Sequence, residues 1–370
     1  MAFSRQLVWS LARYTIGNKI RGRGRFPLVL MLEPTLRCNL ACAGCGRIRE
    51  LKESPRHSLS AAECLAAVDE SRAPLVSVTG GEPLLHPDIV PIVDQILARG
   101  RGVTLCTNGL LLEDALQDFR PGPYLSFVVH LDGLAETHDR YAGREGVFEA
   151  ATSAIRAARG RGFNVLVNTT LYKGTDVSET VQLLELLARI PVDGILIAPA
   201  FGFEGVDGDM FLTRAEAVAR FGPLYDLRHE VPFGNTPLYL DFLAGKRELA
   251  CLPWSTPTRN PRGWRQPCYL LADGYCPSFQ ALMEDTNWEA YGAGNDPRCA
   301  HCMVHSGHDA AAILTELYGP DAVFMDGDAV IGNQMVLMHR ALSIAGGTSE
   351  IKRNQIGERI LGMPRDPLIN

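Results

Sequence analysis

The stretch EPTLRCNLACAGCGRIRE, residues 33–50, follows the apolar run FPLVLML, residues 26–32, and places three cysteines within eight residues. A short apolar run of this kind predicts a buried strand, so Cys38, Cys42 and Cys45 should lie in the loop after it. Three thiolates can hold three irons of a cubane [4Fe-4S] cluster and leave the fourth iron open to a small-molecule chelator. A closed zinc site would need a fourth ligand that this loop lacks, and uncoordinated thiols are the remaining alternative. The spacing favours the cluster.

The cysteine loop begins a regular alternation of short apolar runs and longer segments with helical periodicity. Each apolar run is typical of a strand buried in a parallel sheet. The predicted strands after FPLVLML are PLVSVTG, GVTLCTNG, LSFVVHLDG, FNVLVNTTL and DGILIAPA. The predicted helices lie near residues 59–71, 88–99, 111–119, 146–160 and 177–189. These five or six βα units indicate an α/β protein, built as a full or partial barrel or as a doubly wound sheet.

Polar and reactive residues cluster where the predicted strands end. In barrels and in doubly wound sheets alike, the chemistry takes place at the carboxyl ends of the strands. We therefore expect these residues to line one site together with the cysteine loop. They are Gly80, Gly81, Glu82, Pro83, Cys106, Asn108, Asp132 and Asn168.

Composition narrows the class of protein. The 370-residue chain has 36 Lys and Arg against 42 Asp and Glu, and its net charge of -6 gives no general basis for binding nucleic acid. No stretch approaches the roughly 18 apolar residues of a membrane span, and the amino terminus lacks a clear secretion signal. The ten cysteines fall in tight local groups, which indicates metal or redox chemistry in a reducing compartment. We expect a cytoplasmic protein.

The amino-terminal segment, residues 1–26, contains six Lys or Arg and no acidic residue. Phe3, Leu7, Leu11 and Tyr14 recur at helical spacing, which predicts a basic amphipathic helix. Two hypotheses fit this helix equally well. It docks on a membrane surface without spanning the bilayer, or it closes one end of the domain.

Two further segments follow the alternating core, which we place at residues 27–200. The segment 201–314 is richer in Pro, Gly, Trp and Cys, and this predicts an irregular second module that covers the substrate. The segment 315–370 is expected to form a helical tail.

The Cys-x3-Cys-x2-Cys loop and the GGEP segment together resemble the radical S-adenosylmethionine (SAM) superfamily. The resemblance implies a partial (βα)6 barrel, a [4Fe-4S] cluster on the three cysteines of the loop, and SAM as co-substrate. It also implies that GGEP approaches the amino group of SAM, where Glu82 supplies a negative charge. In this superfamily the reduced cluster cleaves SAM to a 5′-deoxyadenosyl radical, and an electron donor such as flavodoxin or ferredoxin supplies the electron. Further cofactor-binding residues are expected at Asn108, Asp132 and Asn168.

A closer resemblance is to the adenosylhopane synthases of hopanoid biosynthesis. It is carried by RGRGRFPLVLMLEPTLRCNLACAGCGRI, SVTGGEPLLHPDI and HLDGLAETHD, and by the second-module runs PWSTPTRNPRGWRQPCYLL and WEAYGAGNDPRCAHCMVH. It implies an adenosyl transferase that adds the radical to the terminal alkene of diploptene. Diploptene is an apolar triterpene, so an enzyme that binds it is expected near a membrane, which agrees with a membrane-docking helix. Two alternatives remain: a radical SAM enzyme that modifies a peptide, and a non-catalytic iron–sulfur or zinc protein that docks on a membrane.

Radical addition to the alkene would leave a tertiary carbon radical, which a thiol can quench because its S–H bond is weak. Cys106 is the candidate hydrogen-atom donor, since Thr104, Cys106 and Asn108 share one face of the third predicted strand. A lone strand cysteine is more often a small buried core residue, and that interpretation stays open.

The carboxyl-terminal cysteines form a candidate second site for a cluster or zinc, with Cys268, Cys299 and Cys302 as its ligands. Cys251 and Cys276 lie nearby in the sequence, and His305 and His308 follow. The adenosylhopane synthases have a cysteine where this chain has Ser306, which leaves the site one thiolate short. Thiols packed without metal are the alternative.

The tail contains LMHRALSIAGGTSEIKRNQIGERILGMPRD, residues 337–366, which resembles the carboxyl-terminal end of acyl-CoA dehydrogenases. The whole resemblance extends over about 40 residues around this stretch, which is too short to form a flavin site of its own, so we expect no flavin.

Overall fold

The computed structural model describes residues 4–190, 192–202, 206 and 208–318. These residues contain a mixed sheet of nine strands. The strands are β1 (Val29–Thr35), β2 (Leu75–Gly80), β3 (Gly102–Thr107), β4 (Leu125–His130), β5 (Asn164–Leu171), β6 (Gly194–Pro199), β7 (Thr258–Asn260), β8 (Gly263–Gln266) and β9 (Gly274–Cys276). Their spatial order is β6-β5-β4-β3-β2-β1-β7-β8-β9. Strands β1 to β6 are parallel and β7 is parallel to β1, whereas β8 and β9 add antiparallel pairs.

Most of the helices lie between successive parallel strands and cover the sheet, and the others precede β1 or follow β9. They are α1 (Arg5–Ile20), α2 (Arg47–Glu53), α3 (Ala61–Ser71), α4 (Ile89–Ala98), α5 (Leu112–Ala115), α6 (Ala135–Ala142), α7 (Val147–Gly160), α8 (Val177–Arg189), α9 (Arg214–Asp226), α10 (Pro237–Leu243), α11 (Phe279–Asp285) and α12 (His305–Tyr318). The six predicted strands and five predicted helices are present, although α5 is much shorter than expected. The sequence analysis missed α2 and α6 because their sequences, RIRELKE and AETHDRYA, carry too few apolar residues to show a helical period.

Alternation along the parallel strands gives the sheet an apolar face and a polar face. Leu30, Val76, Val103, Phe127 and Val165 are fully buried and pack beneath the helices in one core cluster. Side chains one position along each strand point to the opposite face, because successive strand residues alternate. That face carries Glu33, Ser77, Thr79, Thr104, Cys106, Ser126, His130, Asn168 and Thr170. The fold is therefore an open, barrel-like α/β sheet with its chemical groups on the inner face.

The amino-terminal helix α1 packs against the strand starts. Ser4 caps it, accepting from the backbone N–H of Leu7 at 3.2 Å and donating to the carbonyl of Pro123 at 2.5 Å. Leu7 is buried against Gly102 and Leu75, the first residues of β3 and β2. These contacts agree with the hypothesis that α1 closes one end of the domain, while Phe3 lies outside the described residues. Membrane docking stays a prediction, and none of the described helices is both long and apolar enough to cross a bilayer.

The second module is more regular than its sequence predicts, since residues 258–276 add three strands beside β1. Chain contacts divide the protein into one unit at Met1–Leu314 and another at Thr315–Asn370. Only the first few residues of the second unit are described. The expected tail, with the stretch 337–366 that resembles acyl-CoA dehydrogenases, lies outside the described residues.

Candidate active site

The cysteine loop follows β1 and gathers its three thiols at the carboxyl end of the sheet. Cys38 is exposed and Cys42 and Cys45 are half-buried. The backbone N–H of Leu40 donates to the sulfur of Cys38 at 3.5 Å, and that of Cys45 donates to the Cys42 carbonyl at 3.2 Å. Burial raises the pKa of Cys42 to about 12, and the neighbouring thiols of Cys45 and Cys38 add to this rise. The three thiols therefore lie close enough to repel one another once ionised.

Two tyrosines support this loop from the side of α6 and β5. The backbone N–H of Ala43 donates to the carbonyl of Tyr141 at 2.9 Å. The ring of Tyr141 stacks on that of Tyr172 at 4.5 Å, and a Cβ atom on Gly44 would lie 2.5 Å from the Tyr172 ring. Only glycine fits between Cys42 and Cys45 at this point. The sequence analysis missed both tyrosines, and the glycine inside the motif was the available signal.

The GGEP segment lies directly against the start of the cysteine loop. Gly80 has a φ of +109°, which L side chains rarely adopt. A Cβ atom on Gly81 would lie 2.1 Å from the carbonyl oxygen of Arg37, the residue before Cys38. The backbone N–H groups of Gly81 and Glu82 donate to the carbonyls of Thr35 and Arg37 at 2.9 and 2.8 Å. Because Gly80 and Gly81 lack a Cβ atom, the backbone of the GGEP segment packs directly against the backbone that leads into the cysteine loop.

Glu82 joins the ends of β2 and β3. Its buried carboxylate accepts from the backbone N–H of Leu84 at 3.1 Å, from Thr107 Oγ1 at 3.0 Å and from the backbone N–H of Asn108 at 2.9 Å. Burial raises the pKa of Glu82 and these donors oppose the rise. Contact of this carboxylate with the amino group of SAM stays a prediction. Pro83, the last residue of GGEP, begins a short 3-10 helix, Pro83–Leu85.

Asn108 connects the end of β3 to the cysteine loop. Its Nδ2 donates to Oδ1 of Asn39 at 2.7 Å and lies 3.9 Å from the sulfur of Cys38. The structure therefore brings Asn108, GGEP and the cysteine loop together, as the strand-end argument predicted.

A hydrogen-bonded network at the ends of β4 and β5 contains Asp132 and Asn168. His130 Nε2 lies 2.7 Å from Asp132 Oδ2, and His130 Nδ1 lies 3.2 Å from Asn168 Nδ2. The backbone N–H of Asp132 donates to His138 Nδ1 at 3.1 Å. Burial opposes protonation of His130, but Asp132 prevails and raises its pKa, whereas burial lowers the pKa of His138 to about 4. Asp132 also raises the pKa of Cys42, so this network adjoins the cysteine loop.

Cys106 lies deeper on the inner face, in register with Val128 of β4. Its sulfur is 3.6 Å from Ser77 Oγ, and Thr79 is a second hydrogen-bond partner. Burial raises the pKa of the thiol to about 11, and Glu82 adds to the rise. Cys106 therefore keeps its S–H proton at neutral pH, in a half-buried position below the GGEP segment.

A buried ion network holds the helix that follows the cysteine loop. Arg47 Nε lies 2.6 Å from Glu33 Oε1, and Arg47 Nη1 donates to Glu50 Oε2 at 2.9 Å. Arg265 of β8 pairs with the other oxygen of Glu50. The guanidinium of Arg47 also lies 4.4 Å from the centre of the Tyr269 ring. The sequence analysis missed this network, which ties the cysteine loop to the second module.

The donor set fits the cofactors that the sequence predicts. Among the described residues, no three His, Cys, Asp or Glu side chains lie close enough together to hold a single metal ion. In a cubane each thiolate binds a different iron, so its ligands stand further apart than those of one ion. Three thiols beside a two-glycine backbone cradle match three irons and an adjoining small molecule.

The carboxyl-terminal candidates lie in a separate cavity of about 30 Å³, which Cys268, Cys299 and Cys302 line together with Cys251. The sequence analysis did not include Cys251 among the ligands. Cys276 is in β9 and does not line this cavity.

Comparison with known protein families divides the chain near the end of α8, so that β6 falls in the second match. Residues 32–187 match the radical SAM superfamily, and residues 195–323 match a domain of unknown function, DUF3463. The first match contains the cysteine loop, GGEP, Cys106 and the network on β4 and β5.

Curated relatives match part of this chain. An AdoMet-dependent heme synthase of Methanosarcina barkeri is 31% identical over 47% of this chain and 51% of its own length. A GTP 3′,8-cyclase of Microcystis aeruginosa is 28% identical over 67% of this chain and 83% of its own length. The chain spans about half the length of the first of these relatives, so activity and substrate do not transfer from it.

Solved structures share the fold. SuiB of Streptococcus suis superposes with a TM-score of 0.60 at 16% identity, over 80% of this chain and 75% of SuiB. Native anSMEcpe with bound AdoMet superposes with a TM-score of 0.52 at 16% identity, over 70% of this chain and 81% of that protein.

Proposed function

We propose that the protein is an adenosyl transferase acting on the terminal alkene of a hopene such as diploptene. The match of residues 32–187 to the radical SAM superfamily supports the radical chemistry of this proposal. The cofactors of the superfamily are a [4Fe-4S] cluster and SAM. When bound, they supply a 5′-deoxyadenosyl radical, whose C5′ would form a bond to the terminal carbon of the alkene. SAM is consumed in this reaction, and methionine leaves.

The residues of the strand-end site have distinct roles in this proposal. Cys38, Cys42 and Cys45 hold the cluster, and Gly80 and Gly81 let the backbone approach SAM. Glu82 fixes the third strand end and places negative charge near the ammonium group of SAM. The other cofactor-binding residues are Asn108, Asp132 and Asn168.

The observation that carries the proposal is the protonated, half-buried thiol of Cys106 on the inner face. Addition of C5′ to the alkene leaves an unpaired electron on a tertiary carbon. Cys106 would give this carbon the hydrogen atom of its S–H bond, forming a C–H bond and leaving a thiyl radical. An external reductant of the flavodoxin or ferredoxin class must then return one electron to the sulfur, and a proton from solvent restores the S–H bond. A thiolate could not perform this transfer, so the raised pKa of Cys106 suits the role.

The second module supports a substrate different from that of the heme synthase. The heme synthase match covers only 47% of this chain, whereas the adenosylhopane synthase resemblance extends through the second-module runs near residues 253–305. Substrate-binding residues vary between enzymes that share a catalytic core, so a distinct second module favours a distinct substrate.

We also propose that α1 brings the enzyme to a membrane surface, where an apolar substrate would reside. Trp9 is 37% exposed and Ile20 is 82% exposed. Arg5, Arg13 and Lys19 are exposed on the same helix, which suits contact with anionic lipid.

The decisive experiment is anaerobic incubation of reconstituted protein with SAM, a reductant and diploptene, followed by mass analysis of the lipid fraction. The proposal expects an adenosylated lipid with one added hydrogen at the tertiary carbon. SAM cleavage without this product would refute the substrate, and the peptide-modifying alternative would then take its place.

Cys106→Ser separates the two chemical steps. The alcohol O–H bond is much stronger than S–H, so the variant should still cleave SAM while forming little of the correctly reduced product. Cys276→Ser is the matched control, because Cys276 is also half-buried but lies in β9. Wild-type product yield and stereochemistry in Cys106→Ser would return Cys106 to the role of a core thiol.

A further inference from the structure

We propose that Cys251, Cys268, Cys299 and Cys302 hold a second iron–sulfur cluster, a [4Fe-4S] cubane with one thiolate on each iron. This site lies in the second module and takes no part in the hydrogen-atom transfer proposed for Cys106. The inference therefore does not depend on the identity of the substrate.

The chain brings Cys251 to this site through contacts that are distant in sequence. The backbone N–H of Leu252 donates to the carbonyl of Gly307 at 3.1 Å, and Thr256 Oγ1 donates to the carbonyl of Ser306 at 2.5 Å. A Cβ atom on Gly307 would lie 2.4 Å from the sulfur of Cys251. Glycine at 307 thus leaves room for that thiol. Cys251 thus supplies a fourth thiolate, which the sequence analysis had considered missing because this chain has Ser306 in place of a cysteine.

The four thiols line one cavity of about 30 Å³. Cys251 lies near enough to each of the other three for their charges to interact. Much of the remaining lining is apolar and includes Pro253, Leu270, Leu271 and Val304. An apolar surround of this kind limits solvent access to a cluster and helps to set its reduction potential. Cys276 has Asp285 as its electrostatic neighbour instead of these thiols.

Backbone N–H groups point at three of the four sulfurs. Leu270 and Leu271 donate to Cys268, Val304 donates to Cys302, and Gly292 donates to Cys299. Hydrogen bonds to sulfur stabilise thiolates and are a regular means by which proteins tune iron–sulfur clusters.

Four thiolates can hold either a single zinc ion or a cubane in which each sulfur binds its own iron. The zinc and iron content of the protein separates the two. His308 also lines the cavity, but its ring stacks on Phe242 at 4.6 Å and its Nδ1 lies 3.2 Å from the Val304 carbonyl.

The second site is connected to the first through Arg47. This residue follows Cys45 by two positions, and its Nη2 donates to the carbonyl of Tyr269 at 3.2 Å. Tyr269 directly follows Cys268. A single buried side chain therefore contacts the segments that carry both sets of cysteines.

The test uses the full chain with the first site removed by Cys38→Ala, Cys42→Ala and Cys45→Ala together. After anaerobic reconstitution, this triple variant should retain about four iron and four sulfide per chain, and wild type about twice as much. Electron paramagnetic resonance of the reduced triple variant should show a single type of [4Fe-4S] signal. Iron near zero in a folded triple variant would overturn the proposal, as would about one zinc per chain in the protein as purified.

Adding Cys251→Ala to the triple variant tests the fourth ligand. Three thiolates can still hold a cubane, so the iron content should be four per chain or fewer, but the paramagnetic resonance spectrum should change because one iron loses its thiolate. Cys276→Ala in the same background should leave both the iron content and the spectrum unchanged. Circular dichroism checks that each variant folds, and Cys299→Ala replaces Cys251→Ala if the latter does not. Unchanged iron content and an unchanged spectrum in the folded Cys251→Ala or Cys299→Ala variant would refute the four-cysteine site.

Discussion

Replacing Gly81 with alanine should damage the proposed SAM site more than the fold. The new Cβ atom would lie 2.1 Å from the carbonyl oxygen of Arg37 and 2.5 Å from its carbon, whereas ordinary contact begins at 3.4 Å. Both atoms belong to the backbone, so a flexible side chain cannot relieve the clash. The GGEP segment or the start of the cysteine loop must move by about 1 Å or more, and displacements of this size can cost about 100-fold in rate. Overpacking should cost about 1–3 kcal/mol of stability.

The assay for Gly81→Ala compares three quantities under anaerobic conditions: iron content, the thermal unfolding temperature and the rate of SAM cleavage. Gly122→Ala is the matched control, because a Cβ atom there meets nothing within 4 Å. The control should unfold at the wild-type temperature or slightly higher, since alanine restricts the unfolded chain. Gly81→Ala should unfold a few degrees lower, and its SAM cleavage should fall about 100-fold. Wild-type cleavage and stability in Gly81→Ala would refute the close-approach argument.

Three further predictions address the ion network, the buried histidine and the amino-terminal helix. Arg47→Met leaves Glu33 without its buried ion-pair partner and Glu50 paired with Arg265 alone, and it should cost about 3–5 kcal/mol in denaturant unfolding. Arg25→Met, which breaks an exposed pair, should cost at most about 1 kcal/mol; equal losses would contradict the network. His138 has a folded pKa of about 4, below its ordinary value of 6.5, so its contribution to stability is complete above pH 6.5 and is lost as the pH falls towards 4. His138→Gln should therefore flatten the fall in stability over this window by up to about 3 kcal/mol, and an unchanged pH profile would argue against a buried neutral histidine. Glutamine in place of the exposed basic residues of α1 should weaken sedimentation with anionic vesicles by about 1 kcal/mol per residue, and high salt should weaken wild type similarly; equal vesicle binding would favour a purely structural helix.

Much of the parallel sheet could be predicted from the sequence because its signals are local. The strand runs are continuously apolar and the helices have a clear period, so their order and approximate bounds follow from the chain alone. The site at the strand ends could be predicted for the same reason, since parallel strands bring their carboxyl ends to one edge. Strands β7 to β9 could not, because each has only three or four residues. They form by pairing with β1 and with each other, far along the chain from β1.

The sequence by itself determined the βα alternation, the three-cysteine loop and the place of Cys106 on a strand face, because spacing and period fix these locally. Only the tertiary structure decided which distant groups meet. In the folded protein Cys251 lies beside Gly307, and Leu7 packs against the first residue of β3. Arg47 pairs with Glu33 and Glu50 and also contacts the second module. Such contacts arise when separate elements pack together to bury their surfaces, and no pattern within either element specifies its partner.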